Sequence, residues 1–417
     1  MKSFLSPHVF DREINDTVFE AAKGAQEAIA RLGDAFVING AFGTLFNEDG
    51  HLWTFRAVYE AFDKIPDVQK AKYASSIYGS NEFHQAVKTW LFGSFSPPTP
   101  YEIIATPGGT GALASTIKNA LAPGETLILP HIGWGPYTTI AKEAQLETQT
   151  YQLFAGDVFH LEDFKDTLRQ SLDIQGKAVV FFNDPCQNPT GYSLTPSEWD
   201  GVYAILEELS DIGPIVFVYD IAYVDFSLHH QDYKENFKRL FRLPENVLTV
   251  ITFSASKTLS AYGMRVGAQV LITQNEDALR SFKAACGNTA RGVWSTVNNG
   301  GMALMHAVAT IPEVTQAYTL ERDYALSLLE QRATLFVKEA RAAGLDLYPY
   351  KEGFFTTIRL EDSVLKNEVH LALKSENIFF VNVVGGLRVA LCSIPLNKIK
   401  GLAKRVKTVI DTVEKTR

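Results

Sequence analysis

Cysteine is scarce in this chain of 417 residues: Cys186, Cys286 and Cys392 are its only three. Widely separated and odd in number, they argue against a disulfide framework and for a reducing compartment. Nor do they have the close spacing of a zinc site, and the nine histidines show no paired ligand spacing. His229 and His230 are adjacent, so they cannot easily face one metal and read as surface residues. No metal is expected. Long hydrophobic runs are also missing. The best candidate, IVFVYDIAYVDF, is interrupted by Asp220 and Asp225, well short of the roughly 18 uncharged apolar residues that a membrane helix needs. The opening MKSFLSPHVFDREIND has no apolar stretch of secretory-signal length after its lysine. A soluble, cytoplasmic protein without a membrane partner is the expectation. Excess basic charge is absent too: the formal net charge is -8 and no Lys/Arg cluster tracks phosphates, so no nucleic-acid partner is expected.

What is present is ordinary globular composition, with 46% hydrophobic and 21% charged residues, on a chain long enough for a large domain and a smaller one. From about residue 100 to 275, short apolar runs alternate with helical stretches. The runs EIIAT, TLILP, AVVFFN, PIVFVYD, VLTVITF and AQVLIT are near-continuously apolar, as strands buried on both faces are. The predicted class is α/β: a large domain with a mostly parallel sheet sandwiched by helices, plus a smaller α+β domain formed by both termini. The segment PEVTQAYTLERDYALSLLEQRATLFVKEARAAG predicts one or two long bridging helices ending at Gly344. After it, GFFTTIRL, NIFFVNV and LRVALCSI read as strands, with VHLALKSE and NKIKGLAKRVKTVIDTVEK as helices. The expected division is residues 1–52 as the N-terminal part of the small domain, 53–303 as the large domain, and 304–417 as bridging helix and C-terminal small domain. No internal repeat is visible.

The sharpest feature is S-A-S-K-T-L-S-A-Y-G-M-R-V-G, starting at Ser254 directly after VLTVITF. Ser254, Ser256 and Arg265 gather phosphate donors near one amine, that of Lys257. A lysine just past a buried strand is partly desolvated, which favours a neutral, imine-forming amine; by itself such a lysine is more often a solvated surface residue. Upstream, F-F-N-D-P-C-Q-N-P-T-G ends another strand in a turn built on Pro189 and Gly191. PIVFVYDIAY sets Asp220 at a strand end with Tyr223 three residues on, where an aspartate is equally often a helix cap.

Together these motifs resemble the fold-type I pyridoxal-phosphate aminotransferases of class I/II. N-P-T-G, D-x-x-Y and S-x-S-K-x(7)-R-x-G occur in the family's order, and WLFG with PGGTGAL brings the likeness closest to the aspartate and aromatic aminotransferase subgroup. The resemblance covers nearly the whole chain. It implies that Lys257 carries the cofactor pyridoxal 5'-phosphate as a Schiff base and shuttles the substrate's α-proton. Asp220 would pair with the ring nitrogen, Asn188 and Tyr223 would bond the ring's phenolate oxygen, and Trp134 would stack on the ring. Gly108, Gly109 and Thr110 open a helix whose N–H groups would join Ser254, Ser256 and Arg265 around the phosphate.

The resemblance further implies that Arg388 forks onto the substrate α-carboxylate, that Gly43 leaves room for the substrate beside Trp134 and Asn188, and that the protein is a homodimer with shared sites. Tyr73, or else Tyr78, would reach the neighbouring subunit's phosphate; one extra residue before EF at 82 and 83 disturbs that match. Arg291, 34 residues beyond Lys257, would cross the dimer to a side-chain carboxylate, although the S-N-P-P that follows it in the family is here S-T-V-N. The implied activity is ping-pong transamination between an amino acid, aspartate or aromatic, and a 2-oxo acid, with glutamate and 2-oxoglutarate as co-substrates. A lyase or decarboxylase on the same scaffold is the alternative. A cofactor-sensing regulator fits less well, because the matching segment begins by about residue 39 and leaves no room for a DNA-binding domain. G-T-G-A-L-A from Gly109 also fits a dinucleotide turn, but no acidic residue follows at the ribose distance.

Overall fold

A computed structural model describes residues 4–6, 9 and 16–417; residues 1–3, 7, 8 and 10–15 of the expected first unit lie outside the described residues. In chain order the strands are β1 (Ile38–Asn39), β2 (Tyr101–Thr106), β3 (Thr126–Pro130), β4 (Glu147–Tyr151), the hairpin β5 (Phe154–Ala155) and β6 (Val158–Phe159), β7 (Ala178–Asn183), β8 (Ile215–Asp220), β9 (Val247–Ser254), β10 (Gly267–Ile272), β11 (Phe355–Arg359), β12 (Ile378–Phe379), β13 (Val381–Val383) and β14 (Gly386–Ala390). Seven of them form the main sheet in the order β2-β10-β9-β8-β7-β3-β4. It is parallel from β9 through β4, while β10 runs antiparallel to both β9 and β2.

The apolar runs are continuous because both faces of this sheet are covered. Along β7, Val179 and Phe181 enter a core with Leu113, Ile117 and Leu129, whereas Val180 and Phe182 enter a second core with Trp199, Phe217 and Tyr219. Strand side chains alternate faces, so a strand buried on both sides is mostly apolar along its length, and the few polar residues inside such strands, Thr249 and Thr252 of β9 and Gln269 of β10, are themselves buried. Every residue of β7 and of β9 is buried. All six predicted strands of the sheet are present. The sheet has one more, β4, of sequence ETQTY, whose outer residues are exposed; an edge strand need not be apolar.

The long charged segment is a single helix, Pro312–Ala343, with proline in its first turn and Gly344 in the left-handed conformation at its end. Within it Arg332 is fully buried. It donates from Nε to Glu48 Oε1 (2.9 Å), from Nη1 to the Cys392 carbonyl (2.9 Å) and from Nη2 to the Phe46 carbonyl (2.8 Å). An early segment and a late one are thereby held against one helix. β1 pairs in parallel with β12, and β11-β14-β13 form a three-stranded antiparallel sheet. NIFFVNV is therefore two strands in two different sheets, β12 and β13, separated at Phe380. The final helical stretch is also interrupted: Leu396–Ile399 and Leu402–Thr416 are separated by Gly401 at φ +79°. Residue 303, the expected boundary of the large unit, falls inside the helix Asn299–Thr310. No helix among the described residues is long and apolar enough to cross a membrane. The three cysteines are buried and unbridged. His229 is exposed, but His230 is half-buried with ring Nδ1 3.2 Å from the Ser227 carbonyl oxygen, so the adjacent pair is not a surface pair.

Candidate active site

Strand direction brings the motifs together. The carboxyl ends of β2, β3, β7, β8 and β9 all lie at one edge of the sheet, and they lead into Gly108–Thr110, Trp134, Asn188, Asp220–Tyr223 and Lys257. Because β10 is antiparallel, its start lies at the same edge, which brings Arg265, two residues before Gly267, beside them. A cavity of about 190 Å³ opens there, lined by Thr110, Trp134, Asn188, Asp220, Lys257 and Arg265 among others.

One side of the cavity is the start of the helix Gly108–Ala120. No side chain caps it, so its first N–H groups point outward for an anion to accept. Gly108 has φ +74°, and a Cβ there would stand 2.5 Å from Arg265 Nη2; glycine is what lets the guanidinium lie against the loop. Arg265 donates from Nη1 to Ser256 Oγ (3.0 Å) and to the Tyr262 carbonyl (3.0 Å). Ser254 Oγ accepts from the Ser256 N–H (3.3 Å).

Lys257 lines this cavity, partly buried, with Nζ 5.5 Å from the centre of the Tyr223 ring. Burial pushes its amine down to about 8; Asp220 opposes that shift, and Arg265 and Arg388 add to it. Asp220 is 6% exposed. Its Oδ1 accepts from the Ala222 N–H (3.1 Å) and its Oδ2 from the Tyr137 hydroxyl (2.6 Å). Burial raises its proton affinity, while Tyr137, Ala222 and Lys257 favour the anion. Asn188 donates from Nδ2 to the Tyr223 hydroxyl (3.4 Å), and its own N–H is held by Asn183 Oδ1 (2.9 Å).

The smaller sheet reaches the cavity from the other side. Arg388 is on β14, the central strand, and is 4% exposed. It donates from Nη1 to Asn188 Oδ1 (3.3 Å) and from Nη2 to the Ala41 carbonyl (2.8 Å), and its guanidinium lies 4.4 Å from the Phe355 ring centre. Its Nε has no partner among the described residues, an arrangement that leaves a buried cation able to receive a carboxylate. A Cβ on Gly43 would come within 3.1 Å of Phe355 Cζ. Gly191, at φ +73°, has no space for a side chain, because a Cβ would stand 2.3 Å from the Phe355 carbonyl oxygen. Thr357 Oγ1 donates to the Pro189 carbonyl (2.7 Å). The N-P-T-G turn is thus pressed against β11, which accounts for its glycine. Leu45 N–H bonds the Tyr262 hydroxyl (3.0 Å) and so ties the Gly43 segment to the Lys257 loop.

Two residues singled out in the sequence are not part of this assembly in their own chain. Tyr73 is 82% exposed, and Arg291, in the last turn of the helix Glu276–Val293, is exposed and donates to Ser295 Oγ (2.7 Å). Tyr78, by contrast, is committed to its own chain: its ring lies against Gly287 and beneath Lys283 Nζ, 5.2 Å from the ring centre. Tyr137, Asn183, Tyr262 and Phe355 complete the site and were not anticipated. Asn183 and Tyr262 lie inside the two motifs that hold Asn188 and Lys257, which is the signal that could have found them. The donors around this cavity, with Trp134 on its lining, fit a pyridine ring carrying a phosphate. The fit rests on three features: an uncapped helix start, a buried carboxylate with lone pairs to spare and a partly buried amine of lowered proton affinity.

Comparison with known proteins agrees with this geometry. Residues 38–406 match the family model described as aminotransferase class I and II. An aminotransferase from Anaerococcus prevotii has a solved structure that superposes with a TM-score of 0.93 at 30% identity, covering 98% of this chain and 99% of that one. The aromatic-amino-acid aminotransferase of Paracoccus denitrificans is 24% identical over 87% of this chain and 90% of its own length. The aspartate aminotransferase of Pseudomonas aeruginosa is 26% identical over 76% of this chain and 83% of its own. A Burkholderia pseudomallei aromatic-amino-acid aminotransferase, described as covalently bound to pyridoxal phosphate, shares the fold with a TM-score of 0.79 at 21% identity, covering 98% of this chain and all of that one (100%).

Proposed function

The chain belongs to the class I and II aminotransferases, which makes it a pyridoxal-phosphate-dependent transaminase, and from that premise we propose that it exchanges amino groups between aspartate or an aromatic amino acid and 2-oxoglutarate, in a cytoplasmic homodimer with shared sites. The observation that carries this reading is Lys257: a partly buried amine pushed down to about 8, in one cavity with the Asp220 carboxylate and an uncapped helix start. When bound, pyridoxal phosphate supplies an aldehyde that condenses with amines and a ring that accepts electron density from the substrate α-carbon.

Each step falls to a residue of this chain. Lys257 would hold the cofactor through its Nζ and, once released, would be the amine beside the substrate α-carbon. The freed Nζ then takes the α-proton and returns it one position away. Asp220, held anionic by two donors, keeps a proton at the ring nitrogen. Asn188 and Tyr223 hold the ring's phenolate oxygen, and Trp134 covers the ring face. Gly108, Gly109, Thr110, Ser254, Ser256 and Arg265 hold the phosphate. Arg388 binds the α-carboxylate and so fixes which bond of the α-carbon faces the ring; Gly43 and Phe355 border the approach. In the second half-reaction the same groups act in reverse order.

The pH dependence of cofactor uptake follows from Lys257. With the amine at about 8, roughly a tenth of it is neutral at pH 7, against about three in ten thousand for an unperturbed lysine. Covalent incorporation into apoenzyme is expected to rise about tenfold per pH unit below 8 and to level off above it. Stopped-flow absorbance at several pH values measures this; a tenfold rise per pH unit that continues past pH 9 would contradict a perturbed Lys257.

The dimer reading is supported by Tyr73 and Arg291, both exposed and neither lining the cavity of its own chain. In this proposal Tyr73 reaches the neighbouring phosphate and Arg291 the side-chain carboxylate of a substrate across the interface. Arg291→Ala is expected to lower kcat/KM for aspartate and glutamate about 100-fold and for aromatic substrates less than about fivefold. Single amino acids are mixed with the enzyme and the absorbance change of the half-reaction is followed. If none of aspartate, glutamate and the aromatics discharges the enzyme while another amino acid releases ammonia, the transamination substrates proposed here are wrong.

A further inference from the structure

We propose that Asp225 and Thr258 are positioning residues for Lys257: the buried Asp225 carboxylate holds the Thr258 hydroxyl and so fixes the backbone from which the Lys257 amine works. This rests on the reading of Lys257 given above. Asp225 interrupts the apolar run that follows Asp220, and Trp90 opens the WLFG segment; neither lines the cavity. Asp225 is 1% exposed and Thr258 2%. Thr258 Oγ1 donates to Asp225 Oδ2 (2.7 Å), and the Trp90 indole N–H donates to both carboxylate oxygens (3.1 and 3.0 Å). Bonds to a carboxylate in so dry a place are strong and hold their geometry. On the backbone side, the Tyr318 hydroxyl donates to the Thr258 carbonyl (2.7 Å). The Trp90 and Tyr318 rings lie against each other, with centroids 5.4 Å apart. Four groups thus close into a ring that runs from Trp90 to Asp225, to Thr258, to Tyr318 and back.

The ring joins the helix Asn81–Phe92, the turn after β8, the short helix Ala255–Thr258 and the long helix Pro312–Ala343. Thr258 is where it meets Lys257. The turn that follows is closed as well: Ser260 N–H bonds the Lys257 carbonyl (3.0 Å), the Tyr59 hydroxyl donates to the Ser260 carbonyl (3.1 Å), and Ser260 Oγ donates to the Trp53 carbonyl. A lysine amine sits on a flexible stem, so it reaches a defined point only if its own Cα is held. That matters because one amine takes the α-proton and returns it one position away, and a misplacement of about 1 Å can cost on the order of 100-fold. Without the Thr258 hydroxyl, Asp225 loses a donor in a desolvated place, the ring opens, and the Lys257 backbone gains room to shift.

The test is Thr258→Val in the reconstituted enzyme, a change that keeps the branched shape and removes the hydroxyl. The expected result is a fall in kcat of roughly tenfold to thirtyfold, with KM for amino acid and oxo acid within about twofold, since Arg388 is untouched. Thr258→Ser, which keeps the donor, is expected to recover kcat to within about threefold of the parent. A valine variant within about twofold of the parent, or a serine variant as slow as valine, overturns the proposal. A second readout separates positioning from packing. In Lys257→Ala with methylamine added as proton carrier, the amine is not tied to residue 258, so the amine-dependent rate is expected to agree within about twofold whether threonine or valine stands there; a full loss would mean that Thr258 shapes the site at large, and overturns the proposal. Should Thr258→Val fail to fold, Trp90→Phe removes the other donor to Asp225 and keeps a ring beside Tyr318, with a fall in kcat of about threefold or more expected and none in the methylamine-dependent rate. If Lys257→Ala by itself retains turnover, the reading of Lys257 fails; if it loses turnover and Thr258→Val does not, only the present proposal fails.

Discussion

Lys257→Ala is expected to lower turnover at least about 10⁴-fold, because it removes the covalent anchor and the proton carrier together. Cofactor binding should survive. The uncapped start of the helix Gly108–Ala120, Ser256 and Arg265 are all intact in the variant, and Asp220 keeps both of its donors. The variant should therefore bind pyridoxal phosphate with the absorbance of the free aldehyde, and borohydride should fix no cofactor mass on the chain. Alanine also removes a desolvated amine from a closed site, so the apo-protein is not expected to lose stability. Turnover within about a hundredfold of the parent would remove Lys257 from its assigned role. So would borohydride fixation on another lysine.

Asp220→Asn is expected to lower kcat at least about 10³-fold with KM little changed. An amide cannot hold a proton at the ring nitrogen, although it fits the same space and can still accept from Tyr137. The contrast with Arg291→Ala is instructive, since that substitution changes substrate preference and leaves the ring chemistry alone. A second effect has the opposite sign. Asp220 raises the proton affinity of Lys257, so its neutralisation lowers that affinity, and the pH midpoint for covalent cofactor uptake should move below 8. An enzyme slower in turnover yet quicker to take up cofactor at pH 7 is an outcome that simple misfolding would not produce. A kcat within tenfold of the parent would mean that the ring nitrogen depends on some other group.

The readable part of the fold was the part governed by burial on both faces. β7 and β9 have no exposed residue, so their sequences are mostly apolar, with Thr249 and Thr252 the buried exceptions inside β9, and could be recognised without knowing their neighbours. β4 was not readable, because an edge strand with exposed residues has no reason to be apolar. The split of NIFFVNV into β12 and β13 was equally hidden: one pairs with β1, some 340 residues earlier, and the other with β14. Register with a distant partner leaves no local mark.

The same division runs through the site. Lys257, Asp220, Asn188, Tyr223 and Arg265 are each tied to a strand end and a turn, so short motifs announce them. Tyr137 has no motif; one tyrosine in a helix looks like any other until Asp220 is found 2.6 Å from its hydroxyl. By itself the sequence determined the class of fold, the lysine and the residues in line with it, because strand ends and turns constrain chemistry locally. Only the tertiary structure decided that Tyr78 packs against Gly287 while Tyr73 is exposed, that Arg388 keeps an Nε without a partner among the described residues beside Phe355, and that Tyr137 donates to Asp220. Those facts depend on which segments far apart in the chain share one low-dielectric space, and no short stretch of residues encodes that.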